Sequence, residues 1–147
     1  LKESYDSRDK ESWKSLMTDC VDFYDNIKHT NTCMVITYQL VKNKSKYLTN
    51  SDIGISKGIL DIFSVNIFFR RPLQTEYEGG KDELYCYNPI KNSNSKLEFK
   101  LKKDKHYMIG FVSKNRFGMS DIQIVSEADF SINKYEDLGY CVVVQDY

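Results

Sequence analysis

From Thr32 onward the apolar residues recur at every second position, in short runs divided by turn residues. That period is what a strand with one face in a core requires, because successive side chains leave a strand on opposite sides. The cleanest run is "KLEFKLK" (Lys96 to Lys102), which places Leu97, Phe99 and Leu101 inward and the charges outward. "TCMVITYQLV" (Thr32 to Val41) is rich in β-branched and aromatic residues. "ILDIFSVNIFF" (Ile59 to Phe69) puts Ile59, Phe63, Val65, Ile67 and Phe69 on one face, with Asp61 as an exception. "LYCY" (Leu84 to Tyr87), "HYMIGFV" (His106 to Val112), "DIQIV" (Asp121 to Val125), "ADFSI" (Ala128 to Ile132) and "YCVVVQ" (Tyr140 to Gln145) complete the set. Turn signals fall at Gly79-Gly80, Asn88-Pro89, Asn92-Ser93-Asn94, Lys114-Asn115 and Gly139, and residues 42–58 read as a longer loop. Short strands with turns at near-regular spacing predict a mainly β domain, a β-sandwich or barrel.

One segment breaks the period. In residues 9–28, Trp13, Leu16, Met17, Cys20, Phe23 or Tyr24, and Ile27 follow the spacing of an amphipathic helix. Asp9 suits its N-cap, Glu11 adds negative charge to its first turn, and His29 lies where an imidazole can cap carbonyls. The expected architecture is a β-sandwich with one amphipathic helix near the N-terminus. At 147 residues the chain is long enough for one domain, 1–147, with a real core. It starts abruptly at Leu1, as a mature product or an excised domain would.

Charged residues make up 29% of the chain, yet the net charge is zero, which argues against a nucleic-acid partner. No stretch reads as a signal peptide or membrane span. The charge is unevenly spread. "TEYEGGKDELYCY" (Thr75 to Tyr87) holds Glu76, Glu78, Asp82 and Glu83 against Lys81. Residues 121–137 hold Asp121, Glu127, Asp129, Glu136 and Asp137 against Lys134, whereas residues 96–105 hold five lysines against Glu98 and Asp104. Such segments are either solvated turns or the rim of a site that steers a charged partner. On charge alone the candidate contacts for a basic ligand are Glu76, Tyr77, Glu78, Asp82, Glu83, Glu127 and Asp129.

Four cysteines, Cys20, Cys33, Cys86 and Cys141, occur without a C-x-x-C pair, and there are only two histidines. A zinc site is disfavoured by that spacing. Two disulfides in a secreted protein is the preferred reading, with three connectivities open, against four buried free thiols. Asn43-Lys44-Ser45 is a formal glycosylation sequon. No G-x-S-x-G, H-E-x-x-H or glycine-rich phosphate loop is present, so neither an enzyme nor a cofactor is expected.

The helix ending in Asn31-Thr32, then Cys33, then Met34-Val35-Ile36-Thr37-Tyr38-Gln39-Leu40, resembles the helix–Cys–strand element of secreted poxvirus immune-evasion domains. That family includes the chemokine-binding SECRET domain attached to viral tumour-necrosis-factor receptors. "SWKSLMTDC" and "RPLQTEYEGGKDELYCYNPI" share its look. The resemblance implies a secreted β-sandwich that captures host chemokines and blocks receptor engagement, with basic ligands meeting the acidic segments. "ESWKSL" also resembles the start of tick salivary lipocalins, which implies instead a barrel holding a small amine or lipid. Those proteins continue past their last strand into a C-terminal helix, where this sequence reads "CVVVQDY".

Overall fold

Alternating sequences need partners for both their apolar face and their backbone, and here antiparallel pairing supplies the second. A computed structural model describes residues 10–37, 46–50, 58–90 and 94–143. The chain divides into two compact units, Leu1–Asn43 with Asn50–Ser64, and Lys44–Thr49 with Val65–Tyr147.

The first unit contains helix α1 (Lys10–Ile27) and the short helix α2 (Gly58–Ile62). On α1, Cys20 is buried and Leu16, Met17, Tyr24 and Ile27 are half-buried, as the helical spacing predicts. Phe23 is exposed, so Tyr24 carries the stripe. The expected cap Asp9 and the side chain of Trp13 lie outside the described residues. At the far end the carbonyl of Ile27 accepts from both the N–H and the hydroxyl of Thr30. That pair closes the helix in the place considered for His29. The strand expected from Thr32 is not formed over 32–37, which is irregular, and its remainder lies outside the described residues.

The second unit is a six-stranded antiparallel sheet: β1 (Val65–Arg70), β2 (Tyr85–Pro89), β3 (Lys96–Phe99), β4 (Tyr107–Asn115), β5 (Ile122–Asp129) and β6 (Lys134–Val142). The spatial order is β1-β4-β5-β6-β2-β3. Hence β4, β5 and β6 form a meander, β1 flanks it, and the β2–β3 hairpin docks on the other side. The mainly β class with one long N-terminal helix agrees with the sequence expectation. All six described strands join one sheet with two open edges, so neither a second sandwich layer nor a closed barrel is present among the described residues.

Three boundaries differ from the sequence reading. The expected strand Ile59–Phe69 is split, because helix α2 takes its first half and β1 begins only at Val65. The expected strand Ala128–Ile132 does not exist separately: Ala128 and Asp129 end β5, and Phe130 to Asn133 turn the chain. Gly139 is not a turn but lies inside β6, opposite Val125, where the register slips by one residue. Its φ of +148° and a Cβ position only 2.4 Å from the carbonyl oxygen of Tyr87 restrict the site to glycine.

One sheet face forms the core. Phe68, Ile109, Phe111 and Val125 occupy it, and all four are buried. Irregular chain from residues 46–49 and 71–84 packs over this face. The Tyr47 ring meets Phe111 edge-on at 5.3 Å, and its hydroxyl accepts from Gln123 at 2.9 Å. Leu48, Tyr77 and Leu84 are buried nearby in the sequence of the same segments. Their backbone is also paired: the N–H of Glu78 donates to Leu101 and that of Leu84 to Glu76. A loop can form a core layer only when its polar backbone groups find partners in this way.

Candidate protein-binding face

The acidic segment 76–83 was expected to supply contacts for a basic ligand, and its first acid is turned inward. Glu76 ends a short 3-10 turn, Gln74–Glu76, and is only 1% exposed. Both of its carboxylate oxygens take the Arg70 guanidinium at 2.7 Å, and Oε2 also accepts from the Leu73 N–H at 2.6 Å. Arg70 in turn donates from Nε to the Lys46 carbonyl at 2.7 Å and lies over the Phe111 ring. Such a planar fork matched to a carboxylate ties β1, the 46–49 segment and the 3-10 turn together. Tyr77 is buried as well, with its ring 6.2 Å from that of Tyr107, and burial pushes its phenol pKa up. These two residues are structural and leave the candidate ligand set.

The remaining acids are at the surface but are largely neutralised within the chain. Asp82 pairs with Lys46 at 3.4 Å. Glu83 takes the N–H of Gly79 at 2.6 Å and the Lys100 ammonium at 2.8 Å, which fixes the Gly79-Gly80 turn against the end of β3. Glu127 pairs with Lys105 at 2.8 Å, and Asp129 accepts from the N–H and hydroxyl of Ser131 in the β5–β6 turn. Glu78 is exposed. The lysine-rich segment 96–105 therefore folds against the acidic ones, and charges separated along the sequence cancel in space.

These bonds also set the acid stability. The Thr75 side-chain hydrogen bond lowers the pKa of Asp82, the Lys100 hydrogen bond lowers that of Glu83, and the Ser131 hydroxyl lowers that of Asp129. A carboxyl held below its ordinary value stabilises the fold when ionised. That contribution is fully present above the ordinary values of 3.8 and 4.5, and is lost as the pH falls through the lower folded values. The urea midpoint is expected to stay level from about pH 7 to pH 5 and to drop below about pH 4. Part of the drop should vanish in Glu83→Gln; an unchanged acid slope in that variant would remove Glu83 from the account.

The sheet face opposite the core carries the feature the charge analysis missed. Tyr85 and Tyr87 alternate on β2, and Tyr140 is the direct partner of Tyr87 on β6. Their rings form a row with centroid separations of 5.6 Å and 5.8 Å. The Tyr85 hydroxyl donates to Glu98 at 2.8 Å, and the ammonium of Lys96 stands 4.1 Å above the Tyr87 ring. Tyr85 is 44% exposed, and exposed Val142 and Phe69 lie on the same face. Beside the row, at the β2–β3 end, an open groove of about 480 Å³ is lined by Leu84, Cys86, Phe99, Glu83, Glu98 and Lys100 among others. No family model, curated protein or solved structure matches the chain.

An aromatic row that already holds an ammonium, next to a groove with buried Leu84 within it and exposed Glu83 and Glu98 around it, suits long cationic side chains. Their aliphatic stems need apolar contact and their heads need a carboxylate or a ring face. Among the described residues no three metal-ligating side chains converge, and no helix is long and apolar enough to cross a membrane. The two disulfides preferred from the sequence are not formed: no disulfide joins any of the four cysteines, of which Cys20, Cys86 and Cys141 are buried and Cys33 is exposed.

The tyrosines were visible in the sequence, and the spacing of Tyr85 and Tyr87 by two places them on one strand face. Tyr140 joins them only through the β2–β6 pairing, which no local pattern announces. Arg70 was missed because its partner is set by a turn rather than by strand or helix spacing.

Proposed function

We propose that this chain is a secreted capture domain for a basic polypeptide, with host chemokines as the ligand class, acting by occlusion of the ligand's receptor-binding surface. One observation carries the reading: the tyrosine face already binds a cation of its own chain, Lys96 over Tyr87, beside the Tyr85–Glu98 hydrogen bond. A ligand lysine or arginine would exchange with Lys96 on the ring or occupy the adjoining groove. Tyrosine suits the role because it offers a large rigid contact area with a polar tip. The resemblance to poxvirus chemokine-binding domains supports the ligand class. With most acids internally paired, the tyrosine face rather than the acidic turns is the proposed anchor, and Glu83 and Glu98, which line the adjoining groove, act as its rim.

The test is surface plasmon resonance of the purified chain against a chemokine panel at two salt concentrations. Tight binding to a subset is expected, with association slowed by salt more than dissociation is hastened. Tyr87→Ala and Tyr140→Ala are each expected to weaken it by roughly 30-fold, the loss of an anchor worth about 2 kcal/mol. Phe117→Ala, in the β4–β5 turn, should leave affinity unchanged. Absence of binding across the panel would overturn the ligand class, and wild-type affinity in both tyrosine variants would overturn the face.

A further inference from the structure

Behind the tyrosine row, on the core side of the same seam, Cys86 and Cys141 are direct register partners on β2 and β6. Both are buried, both are free thiols, and a hydrogen bond joins them. Direct partners in an antiparallel pair hold their Cα atoms roughly 4.5 or 5.5 Å apart. A disulfide spans Cα separations of about 4.4–6.8 Å, so side-chain rotation alone can bring the sulfurs to bonding distance. Cys86 is also among the residues that line the groove at the β2–β3 end. Cys20 and Cys33 belong to the other unit.

We propose that Cys86 and Cys141 form a dithiol that a peroxide converts to a cross-strand disulfide, clamping β2 to β6 beneath the tyrosine row. In the first step the Cys86 sulfur attacks one peroxide oxygen and the O–O bond breaks. A sulfenic acid forms on Cys86, and the leaving hydroxide takes the thiol proton as water. The Cys141 sulfur then attacks the sulfenic sulfur, the S–O bond breaks, and hydroxide leaves with the Cys141 proton as a second water. The two thiols lose two electrons and the peroxide is reduced to two waters. The order follows from access: Cys86 lines the groove and Cys141 is not among its lining residues. The hydrogen bond with Cys141 also lowers the Cys86 pKa from the ordinary thiol value. Cys86 is therefore the attacking sulfur and Cys141 the resolving one.

The proposal is independent of any ligand, and its test needs none. The reduced full chain is treated with hydrogen peroxide and the monomer fraction is mapped by non-reducing peptide mass spectrometry. The expected product has lost the mass of two hydrogens and yields one linked peptide joining Cys86 to Cys141, restored by dithiothreitol. Prior treatment with phenylarsine oxide, which bridges paired thiols, should block that linkage. Cys141→Ser should stop at a Cys86 sulfenic acid, trapped by dimedone, whereas Cys86→Ser should trap little. Recovery of both residues as separate thiols or sulfinic acids, or linkage of either to Cys20 or Cys33, would overturn the proposal. The wild-type map decides the matter even if the serine variants do not fold.

Discussion

Replacing Glu76 by alanine is expected to cost about 3–5 kcal/mol of stability, read as a lower urea midpoint with an unchanged slope. The magnitude comes from what is left behind rather than from the pair itself. Arg70 keeps its guanidinium under the 46–49 segment, fixed by Lys46 and over Phe111, with no carboxylate facing it. The Leu73 N–H loses its acceptor as well. Removing both charges together should behave differently. Arg70→Met with Glu76→Leu leaves no orphaned charge and is expected to cost clearly less than Glu76→Ala, with the lost bonds to the Leu73 N–H and the Lys46 carbonyl as the remainder, because the desolvation of a buried pair roughly offsets its attraction. If the double variant were as damaged as Glu76→Ala, the pair would be contributing net stability of its own, and the account of an unpaired arginine would fail.

The second large effect is expected at Gly139. An alanine there must adopt a backbone conformation that costs about 1–3 kcal/mol, and its Cβ would overlap the Tyr87 carbonyl 2.4 Å away. Backbone, rather than the far end of a side chain, has to yield, so the loss should reach or exceed the top of that range. Gly79 provides the control. It also has a positive φ, +74°, but nothing lies within 4 Å of its Cβ position. Gly79→Ala is therefore expected to cost only the left-handed backbone strain, about 1–2 kcal/mol. Hydrogen exchange should separate the two: faster exchange at Tyr87 and Tyr140 in Gly139→Ala, and no change there in Gly79→Ala. Equal losses in both variants would show that the close approach of β6 to Tyr87 is relieved without cost.

What could be read from the sequence follows the range of the forces involved. The helix stripe of Leu16, Met17, Cys20 and Ile27 and the strand starting near His106 are local patterns, and both are in place. The alternation in "KLEFKLK" is real, and Leu101 is buried as expected, but Leu97 is exposed because β3 is a short edge strand. In β1 the period was right, yet Val65, Ile67 and Phe69 are on the exposed side while Asn66 and Phe68 are buried. Alternation fixes which residues share a face; it does not say which face the core takes. Charge misled for a related reason. Counting Glu76 with Asp82 and Glu83 treats neighbours in sequence as one patch, although one is buried against Arg70 and the others meet Lys46 and Lys100.

The strand order also sets a schedule for the chain as it folds. The β4–β5–β6 meander and the β2–β3 hairpin each close over short turns, so both can form early. Joining them through β2 and β6 requires a loop that contains β3, β4 and β5, and closure over such a distance carries a larger entropic cost before any contact repays it. The seam is thus expected to be the late event, and everything mounted on it appears late. Tyr87 meets Tyr140, Cys86 meets Cys141, and Gly139 passes the Tyr87 carbonyl in one and the same step. Until then β2 and β6 each present an unpaired strand edge, and an oxidant arriving early would find two separated thiols instead of a dithiol. The order of the strands makes the clamp a record that the fold has been completed.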